Sequence, residues 1–265
     1  MRALGWLAPD LAAGWAERMF LTPRRHARPD SEQQLAETAE RREVRYRKLL
    51  LPTYSWGTGP AVLLVHGWEG RATQLGAFVP ALLEAGFRVV AVDFPGHGEA
   101  EASLSSVADF ASALRTVIQR LGPFQGVIGH SMGGAAAVLS YTLRSFGTRL
   151  VLIGAPRGPR RFFEGFTAYL GLSKDLSARV ARRIERRYGL PFTALDIDTF
   201  GPEVALPTLV VHDRGDREVP FEHANAIVRA MPEATLVATD GLGHRRILRD
   251  ASVIAMAVRF IAHRQ

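Results

Sequence analysis

The sequence feature that most constrains the fold is Gly129-His130-Ser131-Met132-Gly133-Gly134. It follows the apolar run Gly126-Val127-Ile128 and precedes Ala135-Ala136-Ala137-Val138-Leu139. A short apolar run, a glycine-studded turn and an alanine-rich run together predict a sharp turn from a buried strand into a helix. Glycines two residues either side of Ser131 permit a strained backbone and a close approach of helix to strand, and the helix amino terminus offers free amides to an anion. A serine hydroxyl at its ordinary pKa is a poor nucleophile, so it has to be presented to a base with its oxygen clear of the backbone. A turn of this kind does that, which makes Ser131 a candidate nucleophile rather than part of a merely structural turn.

The flanking sequence alternates. Buried strands are predicted at Ala61–Val65, Arg88–Val92, the run into Ser131, and residues 149–153, 208–211 and 235–238. Helices are predicted at residues 74–84, 104–121 with Ser103 as cap, 221–230 and 250–262, besides the one after Ser131. Such alternation implies an α/β fold: a mostly parallel, doubly wound sheet of about eight strands with right-handed crossovers, whose ligands bind at the carboxyl ends of the strands. Ser31-Glu32-Gln33-Gln34 has capping-box spacing and opens a helix predicted to reach Arg42. Residues 43–56 read as one or two strands broken at Pro52. Between residues 156 and 206 the alternation stops and the chain becomes basic, aromatic and helical. The expected organisation is a helical extension over 1–44, an α/β core over 45–156 and 207–265, and a helical lid insertion over 157–206.

A chain of 265 residues with 47% hydrophobic content can bury one large core. It contains no Cys, so disulfides, thiolate metal sites and cysteine nucleophiles are excluded, and the expected location is cytoplasmic. The apolar amino terminus is interrupted by Pro9-Asp10, unlike a signal peptide, and no segment approaches a transmembrane span. Leu7, Leu11, Trp15 and Met19 recur every four residues, as on an amphipathic helix that docks on the body of the domain or, alternatively, touches a membrane surface or a partner groove. From residue 157 to 190 there are nine Lys and Arg against three acids, so this segment alone supplies +6 of the formal +7. Within it Arg179, Arg182, Arg183, Arg186 and Arg187 share one helical face, with Val180, Ile184 and Tyr188 opposite. Such a face is either an ordinary solvated one or one that attracts an anionic substrate or an acidic membrane. No aromatic-interleaved basic strand supports nucleic-acid binding.

A serine nucleophile needs a base, a group that orients the base, and donors for an oxyanion. Of eight histidines, His244 sits best, in the loop Asp240-Gly241-Leu242-Gly243-His244 after the final strand. His66, His97 and His130 lie within turn motifs and are read as supports of loop structure, and His212 as a packing residue at a strand end. The orienting acid belongs after the strand that ends at Val211, where Asp213 and Asp216 compete, with Asp93 a third candidate near its Pro-Gly turn. The backbone amides of Trp68 and Met132 are the expected oxyanion donors.

Together these segments resemble the α/β-hydrolase fold superfamily, in its bacterial single-domain form with a small lid, over residues 45–265. His66-Gly67-Trp68-Glu69-Gly70 is similar to the family's oxyanion loop, Asp93-Phe94-Pro95-Gly96-His97-Gly98 to its next turn, and residues 129–134 to its nucleophile elbow. Residues 213–220 resemble its acid turn, departing at Asp213, where the family commonly has Gly. The resemblance favours Asp216 as the acid, and the order Ser131, Asp216, His244 agrees with it. It implies a serine esterase that cleaves a small acyl substrate through an acyl-enzyme, with no cofactor or metal. The alternatives are a non-catalytic or signalling binding protein and a carbon–carbon hydrolase or lyase using the same triad.

Overall fold

The computed structural model describes residues 8–143 and 149–263. Eight strands form one sheet in the order β1-β2-β4-β3-β5-β6-β7-β8. They are β1 (Glu40–Tyr46), β2 (Leu49–Trp56), β3 (Ala61–Val65), β4 (Arg88–Val92), β5 (Phe124–His130), β6 (Leu150–Ile153), β7 (Thr208–Asp213) and β8 (Ala234–Thr239). Pairs from β4 through β8 are parallel, while β1 and β2 are joined antiparallel at one edge. The strands β3, β6 and β7 are buried along their whole length, as their unbroken apolar runs require.

Helices cover both faces. In chain order they are α1 (Pro9–Leu21), α2 (Asp30–Glu37), α3 (Phe78–Glu84), α4 (Val107–Leu121), α5 (Met132–Leu143), α6 (Arg160–Tyr169), α7 (Lys174–Tyr188), α8 (Ile197–Phe200), α9 (Glu222–Ala230), α10 (Gly243–Arg246) and α11 (Ala251–Ala262). One apolar layer packs α4, α5, α8 and α9 on the sheet, and the other packs α3 and α11 on the opposite face. The strand order reverses between β4-β3 and β5-β6, which makes the ends of β3 and β5 the switch point of the sheet. No helix among the described residues is long and apolar enough to cross a membrane.

Several boundaries differ from expectation. The break in the first strand pair falls at Arg47-Lys48, with Arg47 at φ +53°, not at Pro52. Pro52 is tolerated inside β2 because its carbonyl, on the same side of the strand as the missing N–H, faces the end of β4 and accepts from the Asp93 amide at 2.9 Å. The β2–β4 register itself begins only at Thr53. α2 stops at Glu37, so the sheet starts at Glu40, inside the expected extension. α4 is capped by Ser106, whose Oγ accepts from the Asp109 amide, and not by Ser103. A 3₁₀ turn at Ala72–Leu75 precedes α3.

The largest difference concerns the amino-terminal helix. Its docked face is not the leucine-tryptophan-methionine stripe but the alanine face: Ala12, Ala13 and Ala16 are buried with Leu21 against Phe163 of α6 and Leu176, Val180 and Ile184 of α7. Leu11, Trp15 and Met19 point outward, and Leu7 lies outside the described residues. Small side chains let the backbones of α1 and α7 approach, and the arginine face of α7 turns out to be partly occupied. Glu17, buried, accepts from Arg183 Nε and Arg187 Nε, each at 2.7 Å, and Arg179 reaches Asp10 at 3.3 Å. Burial raises the Glu17 pKa, but the hydrogen bonds and charges of Arg187 and Arg183 outweigh it and hold the carboxyl below its ordinary value.

A folded-state pKa below the unfolded one contributes stability that is present above the unfolded value and is lost as the pH falls through the folded one. Glu17→Gln is therefore expected to lower the unfolding free energy at pH 7 by about 1–3 kcal/mol. The difference from wild type should shrink as the pH drops below the ordinary glutamate value of 4.5. Urea denaturation at pH 7 and at successively lower pH measures this, and a gap that persists unchanged in acid would contradict it.

Candidate active site

Ser131 sits between the end of β5 and the first residue of α5 with φ +52°, a left-handed conformation costly for a residue with a Cβ. The turn is held by the Ser131 amide donating to the Ile153 carbonyl at 2.9 Å and by the Gly134 amide donating to the Ser131 carbonyl at 2.9 Å. Strand and helix meet at the glycines: a Cβ built on Gly129 would lie 2.7 Å from the Gly134 Cα. From the other side comes the loop after β3. A Cβ on Gly67 would lie 2.9 Å from the Ser131 Cβ, so Trp68, the next residue, follows a backbone in contact with the turn. Met132 opens α5, where helix geometry leaves the first amides without intrahelical acceptors.

His244 is delivered by α10, after β8. Its Nδ1 donates to Asp216 Oδ2 at 2.7 Å, and both side chains are buried. The pair lies at the end of β6, beside the Ile153 carbonyl that anchors Ser131: a Cβ on Gly154 would be 3.1 Å from His244 Nδ1 and 3.4 Å from Asp216 Oδ2. Asp216 also accepts the amides of Glu218 and Val219 at 2.9 and 2.8 Å through Oδ1. Burial raises its pKa, but these amides and His244 outweigh that and keep it below the ordinary aspartate value.

Asp213 does not reach His244. It binds the Gly215 amide, the Thr239 hydroxyl and the Leu242 amide, each at 2.9 Å, and so ties the end of β7 to the loop that carries His244. Burial opposes its ionisation, but these donors hold the carboxyl below its ordinary pKa. Asp93 is buried elsewhere, accepting the Ala72 and Glu99 amides at 2.6 and 2.9 Å, and burial pushes its pKa up.

His66, His97 and His212 sit within turn and strand-end structure. His66 donates through Nδ1 to the Gly67 carbonyl at 2.8 Å and accepts the Phe94 amide through Nε2 at 3.2 Å, which joins the loops after β3 and β4. It packs with His97, Phe94 and Phe110 beneath the indole of Trp68. Burial lowers the His66 pKa and takes that of His97 to about 4. His212 donates through Nε2 to the Val219 carbonyl at 2.8 Å, bracing the acid turn.

His130 does more than a turn residue was expected to do. Its Nε2 donates to the His244 carbonyl at 2.9 Å, its ring lies 4.6 Å from the His244 ring, and burial lowers its pKa to about 3. The neighbour of Ser131 thus holds the loop of His244, and only its place beside the serine hinted at this in the sequence. Gly154 was also missed, because a lone glycine after a strand carries no distinctive signal. Among the described residues no three His, Asp or Glu side chains are grouped to hold a metal ion.

A buried His–Asp pair beside a serine on a strained strand-to-helix turn is an arrangement that can take a proton from the hydroxyl. Proteins similar to this chain include several named as hydrolases. A Variovorax paradoxus protein that carries the provisional name carbamate hydrolase RutD is 28% identical over 236 residues, spanning 74% of this chain and 88% of its own length. A 2-hydroxy-6-oxononadienedioate/2-hydroxy-6-oxononatrienedioate hydrolase of Burkholderia vietnamiensis is 29% identical over 237 residues, 71% of this chain and 82% of the relative. Among solved structures, an esterase of Pyrococcus furiosus superposes with a TM-score of 0.68 at 18% identity, covering 91% of this chain and 96% of the other, which is a likeness of fold. The model of the alpha/beta hydrolase family matches residues 62–257, from β3 through most of α11, and the chain belongs to that family.

Proposed function

We propose that the protein is a serine hydrolase that cleaves ester-like acyl bonds of a small molecule through an acyl-enzyme, with Ser131, His244 and Asp216 as the triad. The observation that carries this reading is the 2.7 Å bond from His244 Nδ1 to Asp216, which commits one ring nitrogen and leaves Nε2 as the base. Ser131 Oγ attacks the substrate carbonyl carbon as Nε2 takes its proton. The amides of Trp68 and Met132 hold the oxyanion, and collapse expels the alcohol, which takes the proton back from His244. A water molecule then repeats the sequence on the acyl-enzyme, releasing the acid and restoring Ser131. Asp216 stays ionised throughout, stabilising the imidazolium. Residues 157–206, which include α6 and α7, are the lid over the strand ends. The Burkholderia relative, named for a 2-hydroxy-6-oxo dienedioate, favours a second reading in which the same groups cleave a carbon–carbon bond next to a carbonyl.

Release of p-nitrophenol from short-chain acyl esters tests the first reading. Ser131→Ala should abolish it and should also abolish labelling by a fluorophosphonate, whereas equal rates in the two proteins would sink the reading. A wild type labelled by the probe and active on a 2-hydroxy-6-oxo dienoate but not on esters would select the second.

The two aspartates should separate in kinetics. Asp216→Asn is expected to lower kcat by about 10⁴-fold, since the amide favours the wrong imidazole tautomer. Asp213→Asn removes no contact to His244, so it should act chiefly on stability, with a loss of about 1–3 kcal/mol. Steady-state rates and thermal melts of both variants check this, and an Asp213→Asn loss of activity as deep as that of Asp216→Asn would refute the assignment.

A further inference from the structure

The outer face of α1 carries a row of three exposed large apolar side chains. Leu11 is 72% exposed, Trp15 47% and Met19 41%, spaced one turn apart over about 12 Å of helix. Three large apolar side chains aligned in water on one helix face mark a surface for interaction with a partner or a membrane. The alanine face of the same helix is what packs on α6 and α7, so the strip is not a by-product of a poorly docked helix.

Charge identifies the occupant. On α1, Arg18 is exposed beside the strip, and the acids are neutralised: Glu17 is turned inward to Arg183 and Arg187, and Asp10 is paired with Arg179. On α7, Arg182 and Arg186 lie on the strip of surface next to these paired arginines. Both are exposed and neither forms an ion pair among the described residues. Asp175, at the start of α7, is the one further exposed acid on these two helices. A second copy of the chain would bring this array of arginines against itself, a like-charge contact that opposes association.

We propose that α1 and the adjoining face of α7 form a docking surface for an anionic phospholipid bilayer, with Leu11, Trp15 and Met19 entering the interface and Arg18, Arg182 and Arg186 meeting headgroup phosphates. An indole and two flexible apolar side chains suit the boundary between headgroup and acyl chain, and arginines next to them add the second signal that stable surface binding requires. The contact is peripheral, since α1 is anchored on its other side to the protein. This surface does not depend on the chemistry assigned to Ser131.

Co-sedimentation of the full chain with phosphatidylcholine vesicles, with and without phosphatidylglycerol, is the test. Binding is expected on the anionic vesicles, weaker by about ten-fold on the neutral ones, and weakened by salt. The exposed pair Leu11→Gln with Trp15→Gln should abolish it without changing the melting temperature, and Arg182→Glu with Arg186→Glu should lower it by about ten-fold. Trp15 emission should shift to the blue with anionic vesicles, and the shift should vanish in Trp15→Tyr. Equal binding to both vesicle types, or undiminished binding by the Leu11 and Trp15 variant, would overturn the proposal. So would a wild-type dimer in sedimentation velocity that the same variant disperses.

Discussion

The left-handed backbone of Ser131 is the constraint on which the rest of the site depends. A residue with a Cβ stays at φ +52° only if its surroundings leave no alternative. Here β6 takes its amide, α5 takes its carbonyl, and the Gly67 backbone closes from the third side. Two elements distant in sequence, β6 and the loop of Gly67, must therefore be in place beside the adjoining helix before the serine is. The same packing brings the Gly67 loop against the serine and sets Gly154, next to the Ile153 carbonyl that accepts the serine amide, against His244 and Asp216. The cost of the strained turn and the convergence of the loops have one cause, the close packing of backbone on backbone at the sheet's switch point.

The two acids after β7 show how position divides one chemistry into two tasks. Asp213 and Asp216 are both buried, both lowered in pKa and both bound by backbone amides. Asp213 spends its oxygens on Gly215, Thr239 and Leu242, which fixes the span of chain before His244. Asp216 keeps Oδ2 for the imidazole while Oδ1 holds its own turn. His130 adds a third restraint by donating to the His244 carbonyl. His244, on the short helix α10, thereby acquires a fixed orientation, as the proposed general base would require.

The strand ends were legible in the sequence because their signals are local: unbroken apolar runs make buried parallel strands, and glycines mark the turns that follow. The choice between Asp213 and Asp216 was not legible from spacing alone, since three residues of a turn decide which carboxylate faces the imidazole. The face by which the amino-terminal helix docks was not legible for a different reason. Periodic large apolar residues announce a docked face, whereas Ala12, Ala13 and Ala16 announce nothing until a partner helix is known to need close approach. The arginine face of α7 was legible as a face, but its partners on α1 lie more than 160 residues away in sequence, and no local pattern joins them.

Glu17 explains why α1 holds one pose. An alanine face on a helix is nearly smooth and would allow neighbouring registers at little difference in packing. A buried carboxylate is far less tolerant, because any slide that separates it from Arg183 and Arg187 leaves a charge without water or partner. Those arginines stand one turn apart on α7 and take one carboxylate oxygen each, so rotation of α1 is restricted as well as translation. The register fixed from the inner face also fixes where the outer face points. Leu11, Trp15 and Met19 are then a defined surface of the α1–α7 unit, and whatever meets that surface meets both helices at once.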